Sequence, residues 1–211
     1  MSEKKARVAV LVSGGGTNLQ AILDAQQGGV IKSGRVSLVI SNKAGAYALE
    51  RARQAGVPSM TVVKGDCGGQ QAFEWKIAAA LEENDIDLVV LAGFMAILSQ
   101  WFTDRFAGRI INVHPSLIPS FCGAGFYGLR VHEAALQKGV KVTGATVHFV
   151  NEIPDGGEII LQKAVHVLPG DTPERLHKRV MRQAEWKILP QAVEMLCAQR
   201  IKEDETWIFT K

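Results

Sequence analysis

The feature that most constrains the fold is a pair of uninterrupted apolar runs at residues 8–12 and 88–92, each the length of a β-strand. A strand that is apolar at every position, rather than at every second one, is typical of a parallel sheet covered by helices on both faces. The segments that alternate along the first half of the chain are strands at 7–12, 36–40, 60–63 and 88–92, and helices near 17–27, 46–55 and 70–84. This order predicts an α/β, doubly wound, mostly parallel, Rossmann-like sheet.

The second half of the chain is expected to extend the sheet. A further strand is predicted at 109–114, where it should be central. Two more strands, at 144–150 and 158–165, are joined by a turn at 151–157 that contains proline and two glycines. Such a turn favours a tight reversal, so these two strands are expected to pair antiparallel and the first of them to return beside the strand at 109–114.

A long loop and a long helix complete the prediction. The loop at 121–129 is rich in glycine and aromatic residues and precedes a short helix at 131–137, so it is a candidate binding loop. Pro173 follows Thr172 as the first residue of a helix that runs to about residue 199, with a kink expected at Pro190.

Composition favours one compact domain over residues 1–211 and excludes a largely disordered chain, since 47% of the 211 residues are hydrophobic and 21% are charged. The formal net charge of +3 is spread along the chain, and no apolar run approaches the roughly 18 residues of a bilayer helix. We therefore expect small-molecule substrates, no nucleic acid and no membrane, in a mature soluble chain. The oligomeric state, monomer or homodimer, is left open.

The three cysteines, Cys67, Cys122 and Cys197, are far apart and form no C-x-x-C pair. This spacing argues against a disulfide framework and a structural zinc site, and it favours a cytoplasmic location. Cys122 lies in the glycine-rich loop, where it is either a nucleophile or an unreactive thiol. Because nothing local would lower its pKa, the second interpretation is favoured.

The first candidate site is Ser-Gly-Gly-Gly-Thr-Asn at 13–18, where a buried strand ends and a helix begins. Free backbone N–H groups and the positive end of the helix dipole suit a phosphate. Leu19 stands where a dinucleotide fingerprint needs its third glycine, and no acid follows the second strand, so a phosphate monoester fits better than NAD. The alternative is a glycine turn with Thr17 as a helix cap and no ligand.

The second candidate site is Asn112-Val113-His114-Pro115, at the carboxyl end of the central strand, where open α/β sheets bind their ligands. Strand alternation places Asn112 and His114 on one face, and together they could hold an oxyanion. If the turn residue Asp155 lies nearby, its charge should raise the pKa of His114 and supply a proton donor. A solvated turn aspartate and a strand-end pair bonded to backbone are the alternatives.

The other histidines, His132, His148, His166 and His177, have neither metal-binding spacing nor cysteine companions, so no metal is expected. They are interpreted as structural or surface residues, although His132 could reach the pocket from the helix after the loop.

Four motifs together resemble the folate-dependent formyltransferases. They are Ser-Gly-Gly-Gly-Thr-Asn-Leu-Gln at 13–20, Leu-Ala-Gly-Phe-Met-Ala-Ile-Leu at 91–98, Ile-Asn-Val-His-Pro-Ser-Leu-Ile-Pro at 111–119, and Thr-Val-His-Phe-Val at 146–150 followed by Pro-Asp-Gly-Gly. They occur in the family's order, and the resemblance covers nearly the whole chain. It implies a cytoplasmic enzyme of purine biosynthesis that transfers the formyl group of 10-formyltetrahydrofolate to the amine of glycinamide ribonucleotide, without a metal.

The resemblance also implies roles for individual residues, with ribonucleotide binding assigned mainly to the first half and folate binding and catalysis to the second. The catalytic residues would be Asn112, His114 and Asp155. The ribonucleotide would be bound by Gly16, Thr17, Asn18, Arg182 and Glu185. The folate pocket would be lined by Met95, Ala96, Ile97, Leu98, Asn112, Asn151, Glu152, Ile153, Pro154 and Asp155.

Ala96 and Gln70 depart from the family pattern, because both stand where a basic residue is expected, which puts folate affinity or tail preference in question.

Three alternatives to a small-molecule formyltransferase are considered. A methionyl-tRNA formyltransferase should have a further domain and a basic surface, an NAD-dependent oxidoreductase should have the missing fingerprint, and a nucleotide or folate sensor would not need Asn112, His114 and Asp155.

Overall fold

The computed structural model describes the backbone of residues 5–208 and the side chains of residues 5–200. Its centre is a seven-stranded sheet in the order β3-β2-β1-β4-β5-β6-β7. The strands are β1 Ala6–Val12, β2 Gly34–Ser41, β3 Ser59–Thr61, β4 Leu88–Leu91, β5 Ile110–His114, β6 Val142–Phe149 and β7 Ile159–His166. Strands β1 to β5 pair in parallel, and β6 pairs antiparallel with both β5 and β7. This confirms the doubly wound, mostly parallel sheet with an antiparallel carboxy-terminal pair.

Helices cover both faces of the sheet. They are α1 Thr17–Gln27, α2 Tyr47–Gln54, α3 Gln70–Glu83, α4 Gln100–Arg105, α5 Leu129–Lys138, α6 Pro173–Val180 and α7 Trp186–Ile208. A short 3₁₀ turn at Lys64–Asp66 precedes α3, and a π turn at Met181–Glu185 joins α6 to α7. The short α4 and both turns were not expected from the sequence, since each is too short to show helical periodicity.

Alternate residues of β1 pack into two different cores, which explains why its sequence is apolar throughout. Val8 and Val10 join the core beneath α1 and α7, whereas Ala9 and Leu11 join the core beneath α3 and α4. All four side chains are fully buried. The strand order reverses between β1 and β4, and this switch point is where an open α/β sheet forms its ligand crevice.

The helix expected from residue 173 to about 199 is divided by the π turn at Met181–Glu185. Pro190, where a kink is expected, lies inside α7. The predicted start of α6 is confirmed, with Thr172 accepting a hydrogen bond from the Arg175 N–H at 3.3 Å.

Candidate active site

The glycine loop after β1 is held by a backbone conformation that only glycine adopts without strain. Gly16 has a φ of 70°, and a Cβ built on it would lie 2.6 Å from the Cβ of Ala48 in α2. Arg51 of α2 donates to the Gly15 carbonyl at 2.8 Å. Helix α1 begins at Thr17 with no side-chain cap, so Thr17 is not the cap that the alternative interpretation required. The first N–H groups of α1 are open to an anion.

Asn18 and Glu185 form a buried polar pair beside this loop. The Asn18 amide donates to the Glu185 carboxyl at 2.8 Å, and the π turn supplies Glu185 from the far end of the chain. Burial raises the pKa of Glu185 to about 7, although the Asn18 bond acts in the opposite direction. Asn18 Oδ1 and Glu185 Oε1 have no hydrogen-bond partner among the described residues. Two unsatisfied acceptors suit hydroxyl groups of a ligand. Arg182, in the same turn, is exposed.

Asn112, His114 and Asp155 meet at the carboxyl end of β5. His114 Nδ1 lies 3.4 Å from Asp155 Oδ2, and Asn112 Nδ2 lies 3.5 Å from Asp155 Oδ1. The turn after β6 delivers Asp155, which is in the left-handed region with a φ of 56°. The sequence-based expectation that these three side chains lie together agrees with this geometry.

The expected rise in the pKa of His114 is wrong. Burial lowers this pKa more than the Asp155 carboxylate and the Phe121 carbonyl raise it. Asp155 is partly buried, which would raise its pKa, but the adjacent His148 ring, a bond from the Gly123 N–H and the charge of His114 lower it below its ordinary value. The carboxylate is therefore charged at neutral pH and offsets part of the cost of charging His114.

The loop after β5 places two backbone groups on these side chains. The Phe121 carbonyl lies 2.8 Å from His114 Nε2, and the Gly123 N–H donates to Asp155 Oδ2 at 2.9 Å. Cys122 stands between them, and burial raises the pKa of its thiol, which agrees with the interpretation as an unreactive residue.

A pocket of about 100 Å³ opens next to this cluster. Its lining contains nearly all residues expected to bind folate: Ala96, Ile97, Leu98, Asn112, Asn151, Glu152, Ile153, Pro154 and Asp155, with Leu91, His148 and Val150 in addition. Met95 is the exception, because its side chain is half exposed outside this lining and its backbone N–H donates to Ser13 Oγ at 2.8 Å.

The wall of this pocket is fixed to α3 by the buried carboxylate of Glu74. Glu74 accepts hydrogen bonds from the Ser99 N–H at 2.6 Å, from the Ser99 hydroxyl and from Gln70 at 2.5 Å. Gln70 also donates to the Ile97 carbonyl at 3.0 Å. Gln70, one of the two departures from the family pattern, therefore supports the segment 96–98 instead of presenting a charge.

His148 belongs to the site, which the sequence interpretation missed. It is buried on β6 directly opposite Asn112, and its Nε2 lies 3.3 Å from Asn112 Nδ2 and 3.5 Å from Asp155 Oδ1. Its sequence signal was weak, since one histidine in an apolar strand resembles a core residue until the β5–β6 register is known. His132, in contrast, is fully buried against His177 and is absent from the pocket lining.

Within residues 5–200 there is no group of three or more His, Cys, Asp or Glu side chains arranged to hold a metal ion. No helix in the described part of the chain is both long and apolar enough to cross a membrane.

Comparison with known proteins identifies the class of this fold and site. The sequence pattern of formyl transferases matches residues 6–193. The phosphoribosylglycinamide formyltransferase of Escherichia coli is 41% identical over 203 residues, which cover 95% of this chain and 92% of that protein. The crystal structure of glycinamide ribonucleotide transformylase 1 from Symbiobacterium toebii is 45% identical and superimposes with a TM-score of 0.86, over 93% of this chain and 89% of that one. The chain belongs to the formyl transferase family.

Its position within the family follows from these matches. The bacterial relatives of similar length are named phosphoribosylglycinamide formyltransferase, and the chain is an enzyme of this transferase class. The human trifunctional purine biosynthetic protein adenosine-3 is 45% identical over 203 residues, which cover 96% of this chain. The chain spans about a fifth of the length of that protein, 19%.

Proposed function

We propose that this chain transfers the formyl group of 10-formyltetrahydrofolate to the amine of glycinamide ribonucleotide, a step of purine biosynthesis. The observation that carries the proposal is the placement of two candidate binding regions at one edge of the sheet. The glycine loop follows the carboxyl end of β1, and the pocket lined by segments 96–98 and 150–155 adjoins the carboxyl end of β5, two strands away in the same parallel sheet. The names of the bacterial relatives support formyl transfer to this acceptor.

The glycine loop and the pocket suit the two substrates for different reasons. The first turn of α1 supplies backbone donors for the phosphate, while Asn18 and Glu185 supply acceptors for ribose hydroxyls. Arg182, exposed in the π turn, is proposed as a further ribonucleotide contact. The pocket beside Asn112 combines apolar side chains with the polar groups of Asn112 and Asp155. A flat heterocycle needs both, apolar contacts for its faces and hydrogen bonds for its edge.

The donor supplies a formyl carbon that the amine of the ribonucleotide attacks. Asn112 and the protonated ring of His114 donate hydrogen bonds to the oxygen on which negative charge develops. Asp155 favours the charged form of His114 and holds the water that carries a proton from the amine to the departing nitrogen. Alignment of both substrates across one strand end supplies much of the remaining acceleration.

A transfer-RNA acceptor and an oxidoreductase are less well supported. The net charge of +3 supplies no extended basic surface for RNA, and residues 14–19 lack the third glycine of a dinucleotide site. The three described cysteines are free thiols, which supports a reducing, cytoplasmic setting.

The testing experiment is a steady-state assay of the purified chain with 10-formyltetrahydrofolate, with glycinamide ribonucleotide present and then omitted. We expect release of tetrahydrofolate only when the ribonucleotide is present. Release without it would indicate a hydrolase, and binding of the donor with no release in either case would indicate a sensor. His114→Ala separates the last possibility further, because a sensor keeps its binding function whereas an enzyme loses turnover.

A further inference from the structure

His148 makes three polar contacts although it is 2% exposed. Its Nδ1 lies 2.7 Å from the carbonyl oxygen of Phe149, the next residue on β6. Its Nε2 lies 3.3 Å from Asn112 Nδ2 and 3.5 Å from Asp155 Oδ1. This ring, next to the carboxyl end of β6, joins the backbone of that strand to two side chains of the proposed catalytic cluster.

The carbonyl of Phe149 determines which ring nitrogen carries the proton. A carbonyl oxygen can only accept a hydrogen bond, so Nδ1 must be the donor of this pair. In the neutral imidazole the other nitrogen, Nε2, then has a free lone pair and is an acceptor. The strongest acceptor position on His148 therefore faces the side chain of Asn112.

An acceptor at Nε2 selects one orientation of the Asn112 amide. The two ends of an amide have nearly the same shape but opposite hydrogen-bonding character, since NH₂ donates and the oxygen accepts. The favoured orientation turns the NH₂ end of Asn112 towards His148 Nε2 and Asp155 Oδ1. The reverse orientation is disfavoured, because the amide oxygen would then face a lone pair and a carboxylate. The backbone pairing keeps the two side chains adjacent, because Asn112 and His148 are direct partners in the β5–β6 register.

We propose that His148 is a positioning residue for formyl transfer: it holds one N–H of the Asn112 amide, so that the other N–H, whose contact with Asp155 Oδ1 is long at 3.5 Å, is available to the formyl oxygen. The inference rests on the proposed function, since it assigns to Asn112 the task of stabilising the formyl oxygen. His148 itself need not touch either substrate. Its effect should appear in turnover rather than in binding, because the Asn112 bond strengthens as charge develops on that oxygen.

The test compares two substitutions of equal length, His148→Gln and His148→Met. Both remove the Nδ1 donor to Phe149, but only glutamine places a carbonyl acceptor close to the position of Nε2. We expect His148→Met to lower kcat about 10- to 100-fold, with KM for either substrate changed less than about threefold. His148→Gln should restore kcat to within about fivefold of the parent. Thermal unfolding of both variants provides the control for folding.

A double-mutant cycle shows whether His148 affects kcat through Asn112 or through Asp155. If His148 acts through Asn112, His148→Met should change kcat less than about threefold in an Asn112→Ala background. A loss that persists there but disappears in an Asp155→Asn background would overturn the proposal, because His148 would then act through the carboxylate. Equal kcat in the methionine and glutamine variants would also overturn it.

A readout independent of activity separates this inference from the proposed function. In the parent and in His148→Gln, the side-chain NH₂ resonance of Asn112 should be shifted and protected from exchange, and in His148→Met it should lose both properties. If the parent fails to formylate the ribonucleotide while these resonances behave as expected, the proposed function fails and the orienting contact stands. If the resonance is the same in all three proteins, the contact does not orient Asn112 and the inference fails.

Discussion

At the scale of single residues, the cluster at the end of β5 consists of polar groups in a largely desolvated place. Asp155 accepts a bond from the Gly123 N–H, and its carboxyl oxygens lie 3.4 Å from the His114 ring and 3.5 Å from the His148 ring. If Asp155 were replaced, this N–H and the two rings would lose the charged group beside them. Substitutions here should therefore affect chemistry more than binding.

Asp155→Asn should lower kcat about 10- to 100-fold and leave binding of both substrates largely intact. The reason is that His114 would lose the negative charge that opposes the effect of burial on its pKa. Steady-state kinetics together with equilibrium binding would measure this separation. Asp171→Asn is the matched control, because Asp171 is a buried carboxylate paired with Arg179 away from the pocket. Equal kcat in Asp155→Asn and the parent would contradict the assigned role.

Protonation of His132 is expected to lower the stability of the fold in mild acid. Burial, with smaller contributions from the charges of His177 and His114, lowers its pKa to about 4 from the ordinary value of 6.5. The unfolded chain therefore takes up a proton before the folded one, so stability is complete above pH 6.5 and is lost as the pH falls towards 4. The corresponding free energy is about 3 kcal/mol at its full extent.

Urea unfolding at pH 7.5 and pH 4.5 tests this prediction. His132→Leu should reduce the difference in unfolding free energy between the two conditions by about 2–3 kcal/mol. His166→Leu, at an exposed position on β7, should keep the difference of the parent. If His132→Leu retains the full acid sensitivity, another group carries it.

At the scale of elements, the sequence predicted what periodicity and side-chain alternation can specify. The apolar runs identified β1, β2 and β4, and alternation placed Asn112 and His114 on one face of β5. The contact between Asn112 and His148 could not be predicted in this way, because it depends on the register of two strands separated by a long loop and a helix. The π turn that supplies Glu185 has no sequence pattern of its own.

Gly16 determines how three elements meet, since it separates β1 from α1 and lies against α2. Gly16→Ala should lower the free energy of unfolding by about 2–4 kcal/mol, because a φ of 70° is strained for alanine and the new Cβ would meet Ala48. The shifted loop should also raise KM for the ribonucleotide more than KM for the folate. Gly15→Ala is the stability control, because a Cβ there meets no heavy atom within 4 Å. A stable Gly16→Ala protein with unchanged KM would show that the loop tolerates a different conformation.

At the scale of the whole molecule, both halves of the chain contribute to one site. Asn18 from α1 bonds Glu185 from the π turn, and the core beneath α1 also contains residues of α7. That the chain forms a single domain stays a prediction from its composition. Sequence alone could not reveal the pairing of Asn18 with Glu185, because the two residues are 167 positions apart.

Unfolding should therefore be one cooperative transition. Trp75 lies in α3 and Trp101 in α4, on one side of the sheet, whereas Trp186 begins α7 on the other. In variants that retain only Trp101 or only Trp186, the urea midpoints followed by fluorescence should coincide with each other and with that of circular dichroism. Two separate midpoints would show that the two faces of the sheet unfold as independent units.

The contact between the Phe121 carbonyl and His114 Nε2 has a consequence for ligand affinity. Any ligand that places a carbonyl oxygen on this nitrogen must exchange with a carbonyl that the chain itself supplies at high effective concentration. The measured dissociation constant then reports the difference between two similar hydrogen bonds, and only part of the intrinsic affinity of the ligand. An inhibitor that leaves the Phe121 carbonyl in place and extends past it would avoid this competition altogether.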